Sequence, residues 1–136
     1  WSPWPRDGLP AAGIGGIYPV YDYTTHPGVE RAAPAFGLSA EELEKQQDRL
    51  NPIKRASVLA DAKIPVFIIH GTDDKVVPIA ANSGALEAAY KSRGAAELIT
   101  LVRAQEQGHS FWPGFFHCQE LVDFLIARAT YSSHNK

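Results

Sequence analysis

The chain of 136 residues is long enough for one domain, and its composition of 45% hydrophobic and 21% charged residues is ordinary for a globular protein. Its net charge of −2 gives no basic surface for nucleic acid or for an anionic membrane, so we predict neither partner. The single cysteine, Cys118, excludes an internal disulfide and a cysteine-rich metal site. One cysteine is typical of a reducing compartment such as the cytoplasm but leaves the localisation open.

The start of the chain is unusual, because the sequence contains no methionine and begins with WSPWP. An initiator methionine is usually kept before a residue as large as tryptophan. We therefore interpret Trp1 either as the first residue left after removal of a leader or as a position inside a longer protein.

The N-terminal part shows little periodicity. Residues 1–11 are rich in Trp, Pro and Gly and predict an irregular tail before a domain that spans residues 12–130. Within this domain a short buried strand is predicted around Ile14–Val20, where glycines allow another backbone to come close. An irregular excursion is predicted over residues 24–38.

Two helices are predicted after this excursion. Ser39 has Glu42 three residues after it, which is the spacing of a capping box, and so predicts the start of the first helix. The second helix is predicted to begin at Pro52, because proline is favoured at the first helical position, with Asn51 as its cap.

The second half of the chain is more regular. Ile64–His70 is a continuously apolar run, as expected for a strand that is covered on both faces. A helix is predicted from Pro78 to about Arg93, with Gly94 as its left-handed terminator. Residues 97–104 are rich in apolar and β-branched residues and predict the next strand.

The last predicted helix is Phe115–Ala129, in which apolar residues recur at three- and four-residue steps. Residues 131–136 are polar and predict a frayed tail. Alternation of strand and helix favours parallel pairing through right-handed crossovers. The predicted fold class is therefore α/β, with about three parallel strands and flanking helices.

Titratable side chains follow two successive strands of this predicted sheet. Asp73 and Asp74 come directly after one strand, and His109 follows the next. In parallel sheets functional residues gather beyond the carboxyl ends of the strands, and neighbouring strands lie only about 4.8 Å apart. One aspartate is therefore predicted to hold His109. A carboxylate on one imidazole nitrogen fixes the tautomer, so that the other nitrogen can accept a proton from a nucleophile.

The stretch IPVFIIHGTDDKVVP, with GHS downstream, resembles the C-terminal half of an α/β-hydrolase. It is most similar to the serine esterases and the prolyl-oligopeptidase-like hydrolases, over roughly residues 12–129. The resemblance implies a partial α/β-hydrolase fold with Asp74, the fifth residue counted from His70, as the triad acid and His109 as the general base. Asp73 falls one place early and is interpreted as a turn or solvated residue.

The family's nucleophile lies in a Gly-x-Ser-x-Gly turn ahead of the matching region, and no such motif occurs in this chain. The nucleophile is therefore left unassigned. The serines present are interpreted as a helix cap, helix residues, a neighbour of the histidine or tail residues: Ser2, Ser39, Ser57, Ser83, Ser92, Ser110, Ser132 and Ser133.

The aromatic residues after His109 have two interpretations. Trp112 and its neighbours Phe111, Phe115 and Phe116 could line a substrate pocket, with Trp112 as the candidate substrate-binding residue, or could cover the start of the following helix.

Other chemistry at these residues is less well supported by the sequence. His70, Asp73, Asp74 and His109 could cluster around a metal, but no His-x₃-His or cysteine pair anchors such a site, so we predict no metal and no cofactor. Cys118 could act as a thiol nucleophile, as in dienelactone hydrolases, but its place on an apolar helix face favours an inert buried thiol.

The remaining histidines are interpreted as structural. His70 stands at a strand end and is predicted to be packed or hydrogen-bonded. His26 and His117 are interpreted as surface or structural residues.

Two functions remain open at this point. The first is a serine hydrolase of small esters or amides that uses the Asp74–His109 pair with a serine not present in the chain. The second is a non-catalytic truncated fragment or an assembly module derived from such an enzyme. In either case the first strand has an open edge, so we predict a homodimer, a swapped assembly or a complementing chain that pairs there.

Overall fold

The computed structural model of the protein describes residues 11–134, with side chains to residue 130. Three strands, β1 (Ile14–Ile17), β2 (Val66–Gly71) and β3 (Ile99–Ala104), form a parallel sheet in the order β1-β2-β3. Helices flank this sheet, so the α/β class predicted from the sequence is confirmed. The predicted N-terminal tail lies outside the described residues except for residue 11.

Seven α-helices occur in the described part of the chain. They are α1 (Val29–Ala32), α2 (Ala40–Lys45), α3 (Gln47–Leu50), α4 (Ala56–Asp61), α5 (Ser83–Ser92), α6 (Pro113–Phe116) and α7 (Gln119–His134). Short 3-10 helices at Ala33–Phe36, Pro52–Arg55 and Ala96–Leu98 connect them.

The central strand β2 is buried along its whole length and divides the core into two layers. Val66 and Ile68 point to the layer that α4 and α5 cover, which contains Leu86 and Tyr90. Phe67 and Ile69 point to the opposite layer, where residues of α6 and α7 such as Phe115 pack. Continuous burial on both faces explains why this strand has an apolar run without alternation.

The first half of the chain differs from the prediction in three places. The strand predicted to reach Val20 ends at Ile17, because Tyr18 has a φ of +35° and leaves the extended conformation. The excursion predicted as irregular contains α1 and a 3-10 helix. The helix predicted from Ser39 is broken at Gln46, although its capping box with Glu42 is present.

The segment that follows is a 3-10 helix at Pro52–Arg55 before it becomes α4. Pro52 occupies the predicted first position, but the side chain of Asn51 does not cap the helix. It donates instead to Oδ1 of Asp22 (Nδ2···O 2.8 Å) and so ties this segment to the loop that follows β1.

The helix predicted from Pro78 begins only at Ser83. The residues between them form turns, because the side chain of Asn82 donates to the carbonyl oxygen of Pro78 (3.0 Å) and Asn82 itself has non-helical angles (φ −112°, ψ −95°). At the other end Gly94 has the predicted left-handed conformation, with a φ of +67°.

The last predicted helix is two helices in the structure. The chain leaves the helical path at His117 (φ −115°, ψ 25°), so α6 ends at Phe116 and α7 starts at Gln119. The second helix continues to His134, beyond the predicted end at Ala129 and into the segment expected to fray.

Candidate active site

Two loops at the carboxyl ends of β2 and β3 form the site, and backbone contacts hold them together. The N–H of Thr72 donates to the carbonyl oxygen of Ala104, and the N–H of Asp73 donates to that of Gln107 (both 3.0 Å). A Cβ atom at Gly71 would overlap the carbonyl oxygen of Gln107, so the close approach of the loops requires glycine there.

Asp74 and His109 meet across these loops. Nδ1 of His109 lies 2.9 Å from Oδ2 of Asp74. The Asp74 side chain is fully buried, whereas 31% of the His109 side chain is exposed. The contact predicted from the strand order is therefore present, and it uses Nδ1. Nε2 is left as the imidazole nitrogen that can exchange a proton with another group.

Asp74 also organises its own turn. Its Oδ1 accepts hydrogen bonds from the N–H groups of Val76 (2.9 Å) and Val77 (2.7 Å). Burial by itself would raise the pKa of the Asp74 carboxyl, but hydrogen bonds from Val77 and His109 to the anion outweigh burial and hold this pKa below its ordinary value. Asp74 therefore acts both as a turn aspartate, through Oδ1, and as the partner of the histidine, through Oδ2.

A second imidazole, that of His70, lies behind Asp74 and is completely buried. Its Nε2 is 2.9 Å from the carbonyl oxygen of Val77 and 3.4 Å from Oδ2 of Asp74. Because a carbonyl oxygen only accepts, Nε2 carries the proton, and the hydroxyl of Ser83 donates to Nδ1 (2.7 Å). Burial lowers the pKa of His70 and so favours this neutral form. The prediction of a packed, hydrogen-bonded histidine is confirmed.

The aromatic residues after His109 separate into two pairs. Trp112 lies edge-on to the buried Phe115 (centroids 5.3 Å apart) and over Gly114, so it covers the start of α6. Phe111 and Phe116 stack on each other at 6.1 Å and are exposed, by 89% and 49% respectively. The apolar surface available to a ligand in this segment therefore belongs mainly to these two phenylalanines.

The other residues weighed from the sequence lie apart from the Asp74–His109 contact. Asp73 is exposed and takes part through its backbone. Cys118 is buried, with Sγ 3.5 Å from Oε2 of Glu120. His117 is exposed at the end of α6, and His26 lines a cavity beside β1.

The serine hydroxyls among the described side chains have other partners or positions. Ser39 caps α2, Ser83 is bonded to His70, and the hydroxyl of Ser110 accepts from the N–H of Trp112 (3.3 Å). Between residues 11 and 130 no serine is hydrogen-bonded to His109. Over these residues the site thus brings an imidazole and a carboxylate together without a serine hydroxyl bonded to the imidazole.

Tyr18 is a site residue that the sequence analysis missed. Its ring lies against the imidazole of His109, with centroids 4.2 Å apart and planes tilted by 50°. The two residues are far apart in sequence, and the contact depends on the left-handed backbone at Tyr18. The only signal in the sequence is an aromatic residue near the end of the first predicted strand, Ile14–Val20.

A cavity of about 630 Å³ lies beside β1, away from the α7 layer. Its walls are mostly apolar, with cationic side chains near them. They include Ile14, Val20, Tyr21, Tyr23, Pro27, Phe36, Leu50, Leu59, Arg31, Arg49 and Arg55.

Comparison with models of protein families gives no match, and comparison with curated proteins gives none either. Over residues 11–134, no helix is long and apolar enough to cross a membrane. The same residues contain no group of three or more His, Cys, Asp or Glu side chains that could hold a metal ion.

Proposed function

We propose that this chain is the acid–base half of a serine hydrolase that cleaves small esters or amides, with a partial α/β-hydrolase fold. The observation that carries the proposal is the contact between Nδ1 of His109 and the buried carboxylate of Asp74 at the carboxyl ends of adjacent parallel strands. The sequence resemblance around residues 64–78 supports the same function.

In the proposed reaction, Nε2 of His109 takes the proton of a serine hydroxyl as its oxygen attacks the substrate carbonyl. Asp74 stabilises the imidazolium through Nδ1–H. The imidazolium then gives its proton to the leaving alcohol or amine as the carbonyl–heteroatom bond breaks. Water then attacks the acyl-serine ester as the same nitrogen takes its proton, and the imidazolium returns that proton to the serine oxygen as the acyl–oxygen bond breaks. The serine and most of the oxyanion-binding N–H groups belong to polypeptide outside these 136 residues.

The free edge of β1 is the proposed place for that polypeptide. The N–H groups of Ile14 and Tyr18 bond to the β2 side, so those of Gly15 and Ile17 face the other edge, where no described strand pairs. The cavity beside β1 adds apolar surface there. Unpaired edges recruit strands, so a second copy or a complementing chain would pair at this edge.

The test is the turnover of p-nitrophenyl acetate by the purified chain and by any assembly that it forms. His109→Ala is expected to reduce turnover to the rate in buffer, whereas the matched variant His117→Ala, at an exposed position, should retain the wild-type rate. Labelling by a fluorophosphonate probe reports whether an activated serine is present. Turnover that is equal in all three proteins would contradict the proposed base.

The second candidate is a non-catalytic assembly module. The observation in its favour is that no described serine reaches His109, while the edge of β1 is unpaired over residues 11–134. A module of this kind would associate with itself or with a partner without labelling by the probe, and His109→Ala would leave association unchanged. Sedimentation of dilute protein as a well-folded monomer would count against pairing at this edge.

A further inference from the structure

Tyr18 has a backbone conformation that a bulky side chain rarely adopts. Its φ of +35° falls in the left-handed region, where glycine is favoured, and its N–H is held by the carbonyl oxygen of Ile69 (2.9 Å) at the end of β1. Uncommon conformations of this kind persist where the surrounding structure fixes them, and they concentrate at functional sites. The contacts that this conformation gives the Tyr18 side chain can therefore have a functional role.

The ring of Tyr18 packs between two phenylalanines on one side and His109 on the other. Phe115 lies edge-on to it at 5.1 Å and Phe116 at 6.5 Å, while the imidazole of His109 lies 4.2 Å away on the site side. The imidazole therefore has two restraints. Asp74 holds it at Nδ1, and Tyr18 restricts rotation of its ring plane.

The loop that carries Tyr18 is anchored to the segment that follows Asp74. Oδ1 of the buried Asn82 accepts from the N–H groups of Tyr21 and Asp22 (both 2.8 Å), and Nδ2 of Asn82 donates to the carbonyl oxygen of Pro78 (3.0 Å). Asn82 thus links the loop after Tyr18 to the segment after Asp74, and the N–H of Tyr18 is itself bonded to Ile69.

We propose that Tyr18 is a positioning residue for His109. It keeps the imidazole in the one orientation in which Nδ1 is bonded to Asp74 and Nε2 is available to a reacting group. The aromatic face also attracts the imidazolium that forms when Nε2 takes a proton. The importance of this positioning for catalysis rests on the proposed function, whereas the orientation itself does not.

The test is nitrogen-15 and proton NMR of the full chain, observing the Nδ1–H of His109. In the wild type we expect an exchange-protected resonance from the Nδ1–H bonded to Asp74. Tyr18→Phe keeps the aromatic face and should keep the resonance. Tyr18→Gly relieves the left-handed backbone and removes the ring. Exchange of the Nδ1–H of His109 with solvent should then accelerate by up to roughly tenfold, because the aromatic contact is lost. If the glycine variant does not fold, Tyr18→Leu replaces it in this test, because leucine removes the aromatic ring but keeps a large apolar side chain.

The matched control is Val20→Ala, which shortens an exposed side chain two residues further along the same loop, and it should retain the resonance. Wild-type protection in folded Tyr18→Gly or Tyr18→Leu would overturn the proposal, as would an equal loss in Tyr18→Phe.

Turnover separates this inference from the proposed function. If hydrolysis depends on His109, Tyr18→Leu should lower kcat with little change in KM, and Tyr18→Phe should restore kcat. If no variant or wild-type protein hydrolyses the ester but the resonance still depends on Tyr18, the hydrolase proposal fails and the orienting contact stands.

Discussion

At the scale of single residues, Asp74 divides its carboxylate between two tasks. One oxygen closes the turn through Val76 and Val77, and the other faces His109 and His70. A buried carboxylate is costly unless its lone pairs are satisfied, and here N–H groups surround it. The residue that would hold a catalytic base is therefore also the residue that shapes its own loop.

Replacing Asp74 by Asn is expected to put His109 in the wrong tautomer. The amide oxygen can still accept from Val76 and Val77, but the NH₂ group then points at Nδ1 and favours the Nε2–H form. In an active assembly kcat should fall by about 10⁴-fold, as is typical of this change in a triad. Steady-state hydrolysis of p-nitrophenyl acetate measures it.

Asp73→Asn is the matched control, because that side chain is exposed, and it should change kcat less than about twofold. An unchanged kcat in Asp74→Asn would mean that this carboxylate does not orient the base.

The sequence predicted the Asp74–His109 contact because it follows from topology. Two polar residues after successive parallel strands must emerge at the same end of a sheet. Tyr18 could not be found in this way, since its contact depends on a φ value that no residue-type pattern specifies. The same holds for His70, where burial was predictable but the Ser83 and Val77 partners were not.

At the scale of elements, strands were better predicted than helix limits. The apolar run that gave β2 reflects burial on both faces, and burial is encoded directly in residue type. The edge strand β3 was predicted from its apolar and β-branched residues, although Thr100 and Arg103 are exposed. Helix ends were missed where a single long-range contact decides them, as Asn82 does for the start of α5. The breaks at Gln46 and His117 had no local marker such as glycine or proline at those positions.

The capping box of α2 was predicted from the sequence and is present in full. The hydroxyl of Ser39 accepts from the N–H of Glu42 (3.2 Å), and the Glu42 carboxylate accepts from the N–H of Ser39 (2.8 Å). Ser39→Ala removes the hydroxyl that accepts from the N–H of Glu42, while the backbone N–H of residue 39 can still donate to the Glu42 carboxylate. The loss of this cap should lower the free energy of unfolding by about 1 kcal/mol. Urea titration followed by circular dichroism measures the change.

Ser92→Ala is the control for this substitution. Its exposed hydroxyl bonds to the carbonyl oxygen of Ala89 within α5, so the change should stay within about 0.5 kcal/mol. If the two alanine variants have the same urea midpoint, the capping box makes no contribution to stability.

At the scale of the whole molecule, the side of the sheet that α5 covers contains two buried titratable groups. His70 belongs to the strand itself, and Tyr90 of α5 donates its hydroxyl to the carbonyl oxygen of Ile64 (2.6 Å). Both groups are held in their neutral forms by burial. The stability of the fold should therefore decline on both sides of neutral pH.

On the acid side, the lowered pKa of His70 means that the unfolded chain takes up a proton near the ordinary value of 6.5 while the folded chain does not. Stability is thus lost as the pH falls below 6.5. On the alkaline side, burial raises the pKa of Tyr90 from 10.0 to about 12, so stability is lost as the pH rises from 10 towards 12. Each group contributes a slope of up to about 1.4 kcal/mol per pH unit.

The urea concentration at the midpoint of unfolding, measured as a function of pH, tests both the acid limb (the loss of stability below pH 6.5) and the alkaline limb (the loss between pH 10 and 12). Tyr90→Phe should lower the stability at pH 7, because the hydrogen bond to Ile64 is lost, and should make the alkaline limb shallower. His117→Gln, at an exposed position, should leave the acid limb unchanged. An alkaline limb equally steep in Tyr90→Phe would show that this hydroxyl is not the group that titrates.

The glycine that ends β2 has a consequence for how this molecule can be altered. Because there is no room between position 71 and the Gln107 backbone, even a single added carbon would force apart the turns that carry Asp74 and His109. Directed evolution of new specificity therefore has to keep Gly71 and its contact with the Gln107 backbone unchanged. Diversity can be introduced instead at the exposed rings of Phe111 and Phe116, which stack on each other after His109.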